Sequence, residues 1–263
     1  MQPKTFAEYC AGTPELGTWI LPSFIPADGW SLLQAPPKTG KSIMAAQIAD
    51  ALASGTKFLN WTPIKPWRVV YIQADAPPGD WHGQLTQLGF HNSTALTIDR
   101  AALGLFCLDN LKVRLDLKAT LFTLKAEFVI WDALEKLSRA DLNEKEGCQK
   151  TLALLEEVYK GPRLVIHHPR KMKEGGAWTN VDEVAGNHYL AGDASSIISV
   201  KKNGPLEGWM KITGRLMDSL WKMTRDPGDY RWLTAHKVDS GGNSSGGDSS
   251  GNGGKSIWDT PAP

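Results

Sequence analysis

The segment Ala35–Ser42, APPKTGKS, has the residue types and spacing to hold phosphate. Gly40, Lys41 and Ser42 supply the end of the pattern G-x-x-x-x-G-K-[ST], and Ala35 stands where its first Gly belongs. An Ala serves there as long as its φ stays negative. A strand-like run precedes the segment and a helical pattern follows it, so Pro37, Lys38, Thr39 and Gly40 form a loop leading into a helix N-terminus. Backbone N–H groups from Lys38 to Ser42 are expected to turn toward an anion there, and the helix dipole favours negative charge. Lys41 would reach the β and γ phosphates of a nucleotide, and the Ser42 hydroxyl would ligate Mg²⁺. A second Gly-Lys-Ser, Gly254–Ser256, follows no strand and carries no such reading.

Three further positions could complete the chemistry. Asp132 closes the apolar run FVIWD, and a carboxylate at the C-terminal end of a buried strand is where α/β folds hold ligands. It would hold the Mg²⁺ shell together with Ser42; the plainer reading is a helix cap. Asp75 closes RVVYIQAD and could orient and deprotonate an attacking water. It also stands just before Pro77-Pro78-Gly79, a turn signature in its own right. If Asp75 only makes the turn, Glu135 is the next carboxylate to consider. His167 and His168 close LVIHH. Adjacent strand residues face opposite ways, so one imidazole faces the same edge as Asp75 and Asp132 and the other does not. That spacing also argues against both binding one metal.

The elements that must position these groups follow from hydrophobic periodicity. Trp30–Gln34, Arg68–Ala74, Ala95–Ile98, Glu127–Trp131 and Arg163–His167 read as strands, several of them buried on both faces. Met44, Ile48 and Leu52 fall on one face of a helix over Ser42–Ala53 that stops at Gly55. Gly79–Leu88 reads as a helix, and Glu144–Tyr159 as an amphipathic one carrying Cys148, Leu152, Leu155 and Tyr159. Beyond Ala194 the texture becomes strand and turn. The alternation predicts an α/β fold with a mostly parallel central sheet flanked by helices and a C-terminal antiparallel β extension. Residues 1–239 read as one domain. From Ser240 to Gly254 every residue is Gly, Ser, Asn or Asp, which predicts a flexible tail over 240–263. Its end, KSIWDTPAP, offers Trp258 as a tethered docking peptide for a partner.

Composition narrows the classes. In 263 residues, 29 Lys and Arg face 28 Asp and Glu, for a net charge of +1, which excludes a binder relying on overall charge. The cysteines, Cys10, Cys107 and Cys148, are scattered and form no CxxC pair, so neither a disulfide framework nor a cysteine zinc site is expected. No apolar run reaches the roughly 18 residues of a membrane span, and no signal peptide opens the chain. The expectation is a cytoplasmic protein of a reducing compartment with no membrane partner.

Taken in order, QAPPKTGKS, YIQADAP, FVIWDALEKLS, VIHHPRK and VAGNHYLAGDASSII resemble the RecA-like P-loop ATPases. Among them the chain is similar to the short RepA-type hexameric helicases of plasmids and phages, over roughly residues 15–220. The resemblance implies a RecA-like core, hydrolysis of ATP with Mg²⁺, and a homo-oligomeric ring with sites between subunits. It implies that Lys41 and Ser42 bind phosphate and Mg²⁺, that Asp132 is the magnesium-shell acid, and that His168 or His167 senses the γ-phosphate. Asp75 stands where the family generally carries a Glu. Arg215 and Arg170 are the candidates for an arginine finger, with Lys211 behind them. In such rings the loops after the Asp132 strand and after the histidine strand line the channel. Here Lys171, Lys173 and Trp178 lie in the second loop, basic and aromatic groups that suit single-stranded DNA. The expected function is a nucleic-acid-stimulated ATPase, an oligomeric DNA helicase in replication or recombination of a phage or plasmid. The alternative is a RecA-like ATPase without unwinding: a loader, a recombination mediator or a regulatory switch. A nucleotide kinase shares the loop but needs an arginine-rich lid, and no such cluster is present.

Overall fold

A computed structural model describes residues 19–168, 188–214 and 217–238. A short hairpin of β1 (Trp19–Leu21) and β2 (Ile25–Pro26) leads into β3 (Trp30–Gln34), the loop, and α1 (Lys41–Ser54). Then follow β4 (Val69–Gln73), α2 (Pro78–Gln87), β5 (Leu96–Asp99), the single turn α3 (Arg100–Leu103), and α4 (Leu111–Thr123). After these come β6 (Phe128–Asp132), α5 (Lys145–Val158), β7 (Arg163–His167), α6 (His188–Asp193), β8 (Ser196–Lys202), β9 (Glu207–Gly214), β10 (Met217–Arg225) and β11 (Trp232–Val238).

Strands β3, β4, β6 and β7 are buried at every position, because their centres are large apolar residues covered by helices on both sides and their polar ends lie inside the fold. They lie in a nine-stranded sheet ordered β11-β10-β9-β8-β3-β7-β6-β4-β5. The pairs from β8 to β5 are parallel, and β8 to β11 pair antiparallel. The predicted fold class holds: a mostly parallel central sheet with an antiparallel C-terminal group.

The pleat sorts side chains into two cores. On one face Leu33, Tyr71, Ile130 and Ile166 meet Met44, Ile48 and Leu52 of α1. On the other Leu32, Ile72, Trp131 and Val165 meet Leu117 and Leu121 of α4, Leu155 of α5 and Leu190 of α6. Because the parallel strands run the same way, the residues that follow Gln34, Gln73, Asp132 and His167 gather at one edge. The register sets Gln34 beside His167 and Gln73 beside Asp132. The loop strand β3 and the Asp132 strand β6 are not neighbours; β7 runs between them.

The helix predicted over Ser42–Ala53 runs one residue further at each end and stops as expected at Gly55, in the left-handed region at φ 71°. Helix α4 was not predicted, and neither was the β1–β2 hairpin. No helix among the described residues is long and apolar enough to cross a membrane.

Candidate active site

The loop after β3 adopts the conformation its sequence demands. Ala35 is fully buried and is not among the residues of positive φ, so the missing first Gly costs the backbone nothing. The left-handed positions are Lys38 (φ 60°) and Gly40 (φ 87°). At Gly40 the glycine is required twice, since a Cβ there would also run into the guanidinium of Arg225.

Lys41 is 5% exposed, and its ammonium donates to the carbonyls of Ala35 (2.6 Å) and Pro36 (3.0 Å). Burial pushes its pKa down to about 8 against the pull of Asp132, Glu135 and Asp75. A buried cation whose hydrogen bonds go to carbonyl oxygens, at the start of a helix, is chemically suited to an anion. The rim of an open cleft of about 440 Å³ includes Lys38, Gly40, Lys41, Ser42, Asp75 and His168. Pro37 and Thr39 are not part of that lining. Thr39 is buried, its N–H bonded to the Pro36 carbonyl (3.3 Å) and its own carbonyl taken by Arg225.

Asp132 does not cap a helix. Its side chain is buried and accepts from the Tyr71 hydroxyl (2.6 Å) and the Gln73 amide (3.0 Å), with the Ser42 hydroxyl near enough to favour the ionised carboxylate. Burial drives its pKa upward against those hydrogen bonds. The charge is therefore costly where it sits, and a cation beside it would offset the cost. Ser42 and Asp132 together offer hard oxygen donors of the kind Mg²⁺ takes. Mg²⁺ keeps waters and substrate phosphate oxygens for the rest of its shell, so two protein donors suffice. Among the described residues no larger cluster of His, Cys, Asp or Glu could hold a metal.

The turn after β4 is made by Gln73, not by Asp75. The Gln73 carbonyl oxygen accepts from the N–H groups of Asp75 (2.8 Å) and Ala76 (3.0 Å), while its amide nitrogen reaches Asp132. One side chain thus ties together the two strand ends that carry the acids. The Asp75 carboxylate is left for the cleft. His168 Nε2 lies 3.7 Å from Asp75 Oδ2, longer than a direct hydrogen bond and within ion-pair reach when the imidazole is protonated. The imidazole beside it holds the Asp75 carboxyl below its ordinary range despite partial burial.

The two histidines part as the pleat requires. His168 lines the cleft on the α1 face. His167 is buried, with Nδ1 2.5 Å from Glu135 Oε1. The same oxygen accepts the His168 backbone N–H (2.5 Å). Burial raises the Glu135 pKa, but the His167 hydrogen bond and both histidines outweigh it and hold the carboxyl low. Glu135 is thereby tied to β7 through Oε1, while its Oε2 is buried without a hydrogen-bond partner.

Sequence reasoning missed Tyr71, Gln73 and Arg225. The first two carry a signal, since polar groups in a strand otherwise apolar need partners at its end. Arg225 carries none. Lys211 lies on β9 with Nζ 3.8 Å from Asp218, away from the cleft lining. Arg215, Arg170, Lys171, Lys173, Trp178 and the tail over 240–263 lie outside the described residues.

The family described as AAA domain matches residues 2–174, a span that includes the loop, Asp75, Asp132 and both histidines. The chain belongs to the AAA-domain family. This AAA domain has the fold of the RecA-like P-loop ATPases. It is similar to the KaiC-like protein PH0186 of Pyrococcus horikoshii OT3, with a TM-score of 0.52 and 14% identity, covering 81% of this chain and 92% of that one. It is also similar to the flagellar accessory protein FlaH of Methanocaldococcus jannaschii, with a TM-score of 0.50 and 13% identity, covering 82% and 92%. At such identities the likeness concerns the fold. Within this AAA domain, the strand order places the loop, Asp132 and the β7 end on one edge, as a nucleotide-hydrolysing site requires.

Proposed function

We propose that the protein is a nucleic-acid-stimulated ATPase that works as an oligomeric DNA helicase in replication or recombination of a phage or plasmid. The observation that carries this reading is the meeting of Asp75 and His168, 3.7 Å apart, on the cleft that Lys41 and Ser42 also line. Bound MgATP supplies the electrophilic γ-phosphorus and the metal's charge. Lys41 neutralises phosphate oxygens, and Ser42 with Asp132 holds the metal. Asp75 orients a water, and Tyr71 and Gln73 keep Asp132 in place. His168 is assigned the γ-phosphate contact, supported by its place on the cleft, and Glu135 ties its backbone to the turn after β6. Three residues beyond His168 begins the stretch with Lys171, Lys173 and Trp178, which we assign to single-stranded DNA. Partner subunits complete the ring, and Arg215 is the candidate arginine finger. The setting is the cytoplasm.

The test is the ATPase rate with and without single-stranded DNA, beside strand displacement on a tailed duplex. The expected results are a rate raised several-fold by DNA and displacement that requires ATP. Stimulation without displacement would assign the protein to loading, mediation or switching. No change with DNA would refute coupling to nucleic acid.

The tail is proposed as a partner-docking extension separate from the ATPase domain. Deleting Ser240–Pro263 leaves the melting temperature and the ATPase rate close to those of the parent, because a Gly/Ser/Asn/Asp segment has no apolar area to contribute. The loss appears only in capture of a replication partner. A large fall in melting temperature would show that the tail is packed.

A further inference from the structure

We propose that Arg225 is a positioning residue for the phosphate loop, acting from the C-terminal strands of the same chain: its guanidinium fixes the Thr39 carbonyl and with it the peptide that begins α1. The inference rests on the nucleotide reading of the cleft.

Arg225 ends β10 and is 6% exposed. A buried guanidinium needs partners. Among the described residues it makes no ion pair. Its Nη2 donates to Thr39 O, and its plane lies over the Trp232 ring, 3.8 Å from the centroid. Its Nε is buried without a hydrogen-bond partner, and the side chain lines the same cleft as Gly40, Lys41 and Ser42.

The surroundings hold the arginine still. Its own N–H donates to the Leu206 carbonyl (2.8 Å). Trp232, on which it lies, is locked to α1 at both backbone groups: its N–H donates to Gln47 Oε1 (2.9 Å) and its carbonyl accepts from Gln47 Nε2 (2.9 Å). The β10–β11 hairpin therefore grips the loop before α1 through Arg225 and the helix itself through Gln47.

Peptide planarity turns that grip into a positioning effect. In a trans peptide the carbonyl and the following N–H point to opposite sides. Fixing the Thr39 carbonyl fixes the direction of the Gly40 N–H, one of the donors a phosphate meets at the start of α1. A lysine keeps the charge but cannot hold a flat contact with Trp232 and a fixed donor fork together.

The test uses the full chain, with Kd for a non-hydrolysable ATP analogue from calorimetry, and KM and kcat for ATP. In Arg225→Met, Kd and KM rise roughly tenfold or more, as for loss of a charged hydrogen bond. Arg225→Lys regains most of the melting temperature but keeps the raised Kd. A purely structural role predicts a lower melting temperature with parental Kd and KM, and that result overturns the proposal. Full recovery of affinity in Arg225→Lys overturns it as well, because charge alone would then suffice. Should Arg225→Met fail to fold, Arg225→Lys decides. Lys41→Ala in the same titration separates the two readings. If Lys41→Ala loses the analogue and both Arg225 variants keep it, only the Arg225 proposal falls. If the parent binds no analogue, both fall.

Discussion

Lys41→Ala is expected to lower ATP hydrolysis by about three orders of magnitude or more, the scale of losing a cation that stabilises the transferring phosphoryl group. The reason lies in how the side chain is held. Its ammonium is buried and bonded to two carbonyls of its own loop, with no carboxylate bonded to it. Those carbonyls are replaceable partners, whereas the charge in that place is not. The fold should survive, since the head group serves the loop and not the apolar core, and circular dichroism with a melting curve checks this. The same position predicts a pH dependence. With a pKa near 8 in the free protein, Lys41 loses its charge as pH rises past that value. An anion binds the protonated form, so ATP affinity should weaken by up to about tenfold per pH unit above pH 8. Parental hydrolysis in Lys41→Ala would remove the loop from the chemistry altogether.

Asp75→Asn is expected to cut turnover by about two to four orders of magnitude, the range for a lost acid–base group, while nucleotide binding persists. The carboxylate acts on water, so phosphate contacts stay intact. Asp75 is ionised at neutral pH as aspartates are, and His168 keeps its carboxyl below the ordinary range, which makes it a still weaker base. Its contribution is then mostly to orient the water. Asp is one methylene shorter than the Glu usual at this place in the resembling family, a shortfall of about 1.3–1.5 Å. Misplacement of that size can cost about a hundredfold. Asp75→Glu tells whether the site is short: faster turnover means that it is, and slower turnover means that the Gln73-built turn already brings the backbone closer. Were Asp75→Asn to hydrolyse ATP at the parental rate with DNA present, the acid would have to lie elsewhere. Glu135, the other candidate carboxylate, has its Oε1 engaged by the His167 imidazole and the His168 backbone N–H, and is the variant to make next.

The parts of the fold that were legible in the sequence are those where one force dominates. Strands β3, β4, β6 and β7 announce themselves as continuous apolar runs because both faces are covered. Helix α1 is marked by Met44, Ile48 and Leu52 and by the left-handed Gly55. Helix α4 escaped because its apolar residues are spread round the axis. Only Leu117 and Leu121 are buried, while Leu111, Leu115 and Phe122 face outward, so no period of 3.6 stands out. At the site, the loop and the strand-end acids were legible by position, and the pleat separated His167 from His168. The turn after β4 was not, because the Pro-Pro-Gly signature hid that the Gln73 amide builds it. Arg225 was not legible either: it meets Thr39 across 186 positions, and only the fold brings an antiparallel strand to the loop.

The sheet register has a further consequence for how the chain can be altered. Lys41, Asp75, Asp132 and His168 each arrive on a different segment, and hydrogen bonding between parallel strands sets the distances among them. The lengths of the connections on the opposite edge do not. The turn at Lys160–Gly161, between α5 and β7, lies at that opposite edge. A fluorophore, an affinity tag or even new termini placed there would sit a full strand length from the cleft, leaving the geometry of the reacting groups to the sheet alone.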